Sequence, residues 1–340
     1  MRRLRLLAIL LVAASTLGIA ACTDDPTVPT PLPPPSGGGG ETGTLSGTVV
    51  GYFDRAPLSG ATVIHGSSAA VTNAAGEFTL NAVPTTGAVG VVVNAPGHVY
   101  RRVVYDMTPN RTGVTIDVIR DTAPFDFTFY RAWVRDLAQS QTLAATKPWT
   151  VDPSFYFKTV LGDTGEPVPD AVIDRIVGIF SNAVVALSGG RRKIDRVERN
   201  PSTREQLDGW VNVTFVQNLG GALGRSSVGG NSGTINLVYG ALLQSTPLNN
   251  PYDCEFYLYS IADHEITHTM GFYHTFDTIA DAFSGPGCTG TTYPERTRIH
   301  SAIMYSRPFG NTDPDIDPAS SAQLTAPEPG FQPVVECFRQ

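Results

Sequence analysis

His264, Glu265, His268, Gly271 and His274 fall within eleven residues, HEITHTMGFYH, of a 340-residue chain that has only six histidines. Three imidazoles gathered this closely suggest a metal centre. On a helix His264 and His268 share one face, near enough to hold a single ion. A catalytic zinc site commonly takes three protein ligands and keeps a fourth position for water. Helical spacing continued to His274 would carry that residue round the helix and further along it, so the chain has to turn first. Gly271 can end the helix with positive φ at little steric cost and let His274 swing back. Glu265 follows the first ligand, points off the ligand face and can approach the open position. There it would take a proton from activated water and later give it to a leaving amine. It is not expected to ligate, because the water would then have no base. Such a site suits zinc, although copper or nickel could occupy it in vitro.

At these five positions the chain resembles the metzincin metallopeptidases, whose signature is HExxHxxGxxH followed by a Met-turn. Downstream, SAIMYS supplies Met304 in a setting like that turn. The resemblance implies that Met304 forms an apolar floor beneath the imidazoles without ligating. Tyr305 would help to wall the substrate pocket, as in matrixins. GFYH is similar to astacins, but the tyrosine which that group carries two residues past the methionine is Ser306 here, so the subgroup stays open. No cysteine lies between Cys22 and Cys254 to act as a matrixin-like switch. The implied activity is zinc-dependent hydrolysis of an extended polypeptide. Two alternatives stand beside it: a zinc amidase acting on cell-wall peptides, and a surface-binding or adhesin lipoprotein with a non-catalytic metal site. The intact Glu265 argues against the last.

The positioning elements are legible upstream. PSFYFKTV reads as a strand, and PDAVIDRIVGIFSNAVVAL as a helix with Pro169 and Asp170 at its start. That helix places Val172, Ile173, Ile176, Val177, Phe180 and Val184 at helical spacing. KIDRVER, VNVTFV and GTINLVYG read as strands, and a second helix beginning near Tyr257 carries the histidines. This order predicts a mixed α+β domain over residues 122–340. GALGRSSV, residues 221–228, is the expected edge strand, to which a peptide could add. His300 is expected at the surface. DPDID, residues 313–317, makes calcium a second candidate ion, but it lacks the glycine and final glutamate of an EF-hand loop, and Asp-Pro turns explain it more simply.

Residues 43–120 carry short segments rich in Val, Ile and Thr, punctuated by Gly, Pro or Asn. They predict a small antiparallel sandwich. SGTVV, PLSGATV, TNAAGEFTLNAV and VNAPGHVYRRVV resemble the regulatory-like, transthyretin-like domain found beside carboxypeptidases, which implies a fold and no activity. It could bind a partner or a sugar, and a spacer is the simpler role for it. The predicted class is thus multidomain: a small all-β sandwich followed by an α+β metzincin-like peptidase domain.

Residues 1–21 read as an export signal, with Arg2, Arg3 and Arg5 before a short apolar run. LGIAAC at its end resembles a bacterial lipobox, which implies that Cys22 is lipidated and anchors the protein to the cell envelope. Residues 22–42, rich in proline and then glycine, form a linker. Cys254, Cys288 and Cys337 allow one disulfide, with the pairing open. A net charge of −7 and a pI near 5.3 argue against nucleic acid as a partner. The expected protein is a monomer that meets a polypeptide substrate and, through its lipid, a membrane.

Overall fold

Residues 41–107, 110–243, 256–276, 293–319 and 334–338 are described by a computed structural model. Seven strands come first: β1 (Thr42–Gly51), β2 (Thr62–His65), β3 (Ser68–Val71), β4 (Glu77–Pro84), β5 (Ala88–Asn94), β6 (Arg101–Asp106) and β7 (Asn110–Val118). They form two sheets, ordered β4-β1-β7 and β3-β2-β5-β6. Period-two alternation sends Val89, Val91 and Val93 of β5 inward to meet Leu45, Val49, Val63, Leu80 and Ile116. The sandwich is not wholly antiparallel, because β1 pairs with β7 in the parallel sense. The chain crosses the other sheet between them, so no hairpin fixes their relative direction.

Next come α1 (Phe127–Arg135), β8 (Ser154–Lys158), α2 (Asp170–Leu187), β9 (Val197–Asn200), β10 (Trp210–Val216), β11 (Ala222–Ser227) and β12 (Gly233–Val238). The last elements are α3 (Tyr239–Leu243), α4 (Phe256–Thr269), α5 (Glu295–Tyr305) and β13 (Val334–Phe338). One sheet runs β13-β11-β12-β10-β8-β9. β10 is parallel to β8 and β12, whereas β11 is antiparallel to both its neighbours. Phe155, Phe157, Val211, Val213, Phe215, Ile235 and Leu237 are buried and join the apolar stripe of α2, Ile173, Ile176, Phe180 and Val184, in one core. Each such side chain contributes about 1.5–3 kcal/mol by leaving water.

Two differences from the sequence expectation matter. Within residues 221–228, Ala222–Ser227 does form a strand, but it is not an edge, because β13 pairs along its outer side. The partner lies more than a hundred residues away in the sequence, beyond the reach of any local signal. The protein as a whole is β-rich, with its described strands in three sheets around two apolar cores. Cys22 with the leader, and likewise Cys254 and Cys288, lie outside the described residues. Among the described residues no helix is long and apolar enough to cross a membrane.

The sandwich belongs to the same compact unit as the elements that follow it. A buried ion network joins its strands to the segment after α5. From β6, Arg101 donates to both carboxylate oxygens of Asp317 at 2.6 and 2.8 Å and reaches Asp315 at 3.3 Å. Arg307 donates to Asp315 at 2.9 Å and to Asp117 of β7 at 2.5 Å. The Asn311 amide bridges Asp315 and Asp317. Burial alone would push the Asp315 carboxyl up, but Arg101 and Arg307 outweigh it and hold it below its usual range. This removes the calcium expectation for residues 313–317: guanidinium groups already supply the positive charge, with Arg131 on Asp313 at 2.7 Å. Removing one member of such a network leaves a buried charge without compensation. Arg101→Ala is therefore expected to cost about 3–5 kcal/mol, measured by urea unfolding; a loss below about 1 kcal/mol would show that the network does not join the two cores.

Candidate metal centre

From Ile261 to Thr269, α4 has no wet side. Ile261, Ala262 and Ile266 are buried, and so are the polar Asp263, His264, Glu265, Thr267, His268 and Thr269. Polar side chains are seldom enclosed without partners, and here Tyr293, β11 and the helix's own carbonyls supply them. The Tyr293 hydroxyl donates to Asp263 Oδ1, while burial pushes the Asp263 carboxyl up to about 7 against that bond. Thr267 and Thr269 donate back to the carbonyls of Asp263 and Glu265.

The last carbonyls of a helix need donors from elsewhere. Trp149 Nε1 donates to the Thr269 carbonyl at 2.7 Å, and the Tyr305 hydroxyl to that of Met270 at 2.9 Å. The His268 carbonyl receives the Gly271 and Gly229 amides. Gly271 has φ +104°, and a Cβ there would stand 2.7 Å from the Lys147 carbonyl oxygen and 3.3 Å from Met304 Cε. Only glycine fits this turn. Beyond it, Phe272 stacks on Trp133 at 4.8 Å, and the Tyr273 amide donates to the Trp133 carbonyl. These contacts bring His274 back beside the helix.

The three imidazoles meet. His264 Nε2 lies 3.0 Å from His268 Nε2 and 3.3 Å from His274 Nε2. His268 Nδ1 is 2.7 Å from the Phe272 carbonyl oxygen, which can only accept, so Nδ1 carries the proton and Nε2 presents a lone pair. Burial, then the neighbouring imidazoles, holds His264 far below the usual histidine range. The same two causes, in that order, bring His268 to about 3 despite the Phe272 carbonyl, and burial lowers His274. All three are therefore neutral, the form that binds metal. Nitrogens about 2.0–2.1 Å from one tetrahedral ion lie roughly 3.3 Å apart, close to the spacings here. His264, His268 and His274 could thus hold a metal ion, and among the described residues they are the one such group.

Glu265 leaves the ligand face, as its sequence position requires, and lies against β11. Ser226 Oγ donates to its Oε2 at 2.5 Å, and a Cβ on Gly224 would collide with Oε1 at 2.2 Å. Ser226 and Gly224 were not foreseen as site residues, although an isolated glycine inside a strand is a sign of close approach. Met304 is fully buried next to Gly271, but it stands in the last turn of α5 and not in an open turn. Tyr305 is also buried, with its hydroxyl engaged by Met270, and it props the end of α4 instead of facing solvent. His300 is buried as well, contrary to its expected surface position. It accepts the Asp126 amide at Nε2, donates from Nδ1 to the Arg296 carbonyl, and stacks on Phe125 at 5.4 Å. It belongs to the α1–α5 contact and is not joined to the three ligands.

No family model matches the chain, and no curated protein matches it. Two solved structures show a limited likeness, both type II cohesin–X-dockerin complexes from Acetivibrio cellulolyticus carrying interface mutations. The C-terminal mutant is 19% identical and the N-terminal mutant 16%. Each alignment covers 23% of this chain and 56% of the other, with a TM-score of 0.20. At that score the likeness bears on neither the fold nor the site.

Two outcomes are expected. A divalent transition ion added to metal-free protein at about 100 times its Kd should stabilise the fold by about 2.7 kcal/mol, seen as a raised Tm with one ion per chain. His268→Ala should abolish that rise, and an undiminished rise would place the ion elsewhere. Burial holds the pKa of His300 below its unfolded value near 6.5. Its contribution is complete above that value and declines as pH falls, because the unfolded chain then takes up the proton more readily. His300→Gln should flatten the loss of stability between pH 7 and pH 5 by at most about 1.4 kcal/mol per pH unit; an unchanged slope would remove His300 from the acid response.

Proposed function

We propose that the chain is a zinc-dependent endopeptidase of the metzincin type, exported and anchored to the cell envelope through a lipid on Cys22. The observation that carries this reading is the convergence of three neutral imidazoles, with Glu265 next to the first of them but outside the ligand set. A structural zinc site closes with four protein ligands, whereas three leave a position open to water. Among the described residues no fourth histidine, cysteine or carboxylate joins the group. The order of strand, backing helix, further strands and histidine-bearing helix supports an α+β peptidase domain, with both helices contributing to the core on the sheet.

When bound, zinc supplies Lewis acidity, which acidifies water and polarises a carbonyl. The protein's own work is to orient and to move a proton. The Phe272 carbonyl fixes the His268 tautomer so that Nε2 faces the ion position. Gly271 lets His274 complete the set. Glu265, held at one oxygen by Ser226, is the group that takes the proton from water and delivers it to the departing amine nitrogen. Met304 fills the space beside Gly271 with apolar bulk and offers no strong ligand. The substrate class is polypeptide. The acidic balance of the chain speaks against nucleic acid.

The zinc-loaded full chain should cleave members of a mixed peptide library. Glu265→Ala should keep one zinc per chain and lose about 10²–10⁴-fold in rate. Equal rates would remove Glu265 as the base. A zinc-loaded parent that cuts nothing would overturn the peptidase assignment.

A further inference from the structure

β13 covers the strand that holds the base. Val334–Phe338 runs antiparallel to β11, with Val335 opposite Ser226 and Cys337 opposite Gly224. Those two β11 residues are the ones in contact with Glu265: Ser226 through its hydroxyl, and Gly224 by the absence of a side chain. β13 also contacts α4, which carries Glu265 and the first two histidines. A strand of this chain therefore lies beside the candidate centre in extended form, and among the described residues it is an outermost strand joined to the sheet along one side.

We propose that β13 is a built-in, substrate-like occupant of the β11 edge, which must leave before an extended polypeptide can pair there and be cut. The inference rests on the peptidase reading above and adds its regulation. Three observations support it. The ladder is made of backbone groups, so any extended peptide meets the same donors and acceptors that β13 now uses. Its register shifts between Ala222 and Gly224, which interrupts pairing close to Glu265. Finally, Glu265 has no exposure and His264 only 2%. A hydrolytic centre has to admit water and a carbonyl, so some covering element has to move, and a short edge strand opens at low free-energy cost. Opening β13 frees the pairing positions of β11 and breaks no pairing among the parallel strands.

The test uses the full chain with Val335 and Glu336 both changed to proline, which removes a ladder donor whichever of the two residues points at β11. Zinc content and near-ultraviolet circular dichroism check that the fold is kept. Against a peptide of ten or more residues, kcat/KM should rise about tenfold or more, the factor for an opening cost of about 1.4 kcal/mol. A synthetic peptide of residues 331–340 should inhibit the variant competitively. Hydrogen exchange gives a second readout that does not depend on turnover, made on zinc-loaded Glu265→Gln in the otherwise unchanged chain. Binding of the long peptide should strip protection from residues 334–338 while β11 stays protected. Cleavage at equal rates by parent and proline variant, or unchanged protection of residues 334–338 with peptide bound, would overturn the inference and leave the peptidase reading standing. Failure of both chains to cleave while loaded with zinc would remove both.

Discussion

Enclosing the second half of α4 is the constraint to which the rest of this protein answers. From Asp263 to Thr269 six of seven side chains are polar, and all are at most 5% exposed. Burying them without partners would cost several kcal/mol in total, a large part of the stability of any domain. Tyr293 meets Asp263, and Ser226 meets Glu265. Trp149 and Tyr305 close the helix end from two further directions. Within this enclosure the Nε2 atoms of His264, His268 and His274 converge. Burial holds each of the three rings neutral, and His268 turns its Nε2 lone pair inward because its Nδ1 donates to the Phe272 carbonyl. The three could hold a metal ion, and the contacts that fix α4 and Gly271 would then be its support.

A second set of interactions ties the sandwich to this arrangement. Arg101 and Asp117 come from β6 and β7, whereas Arg307, Asn311, Asp315 and Asp317 follow α5, the helix that sets Met304 next to Gly271. Asn311 also accepts from Arg135 at the end of α1, and its carbonyl receives the Thr146 amide just ahead of Lys147. One polar cluster thus fixes α1, α5 and the Lys147 backbone that constrains Gly271. The first core is thus tied, through this cluster, to the elements that hold the candidate centre.

Much of the site was legible in the sequence because it is written locally. The i, i+4 histidines, the glycine and the returning His274 are a short-range program, and the structure brings those three imidazoles together as that program requires. Gly271 adopts the positive φ its position called for. The strands from residue 42 to 118 followed their Val, Ile and Thr content, apart from β3, whose Ser-Ala-Ala-Val carries little strand preference. Where the sequence misled, the deciding contacts were distant. β13 pairs with β11 across more than a hundred residues, so residues 221–228 looked like an edge. Residues 313–317 read more simply as Asp-Pro turns, with calcium a weak second candidate, and their arginine partners, 182 to 216 positions away or on the far side of a turn, were not legible. His300 followed the same pattern: nothing in its neighbours announces that Asp126 and Phe125 enclose it.

X-ray absorption at the zinc edge of the loaded protein tests the shared ion most directly. Three imidazole nitrogens and one light atom from water at about 2.0–2.1 Å are predicted, with no sulfur in the first shell. Scattering from sulfur near 2.3 Å would assign the ion to the cysteines, and the convergence of His264, His268 and His274 would then have some other cause.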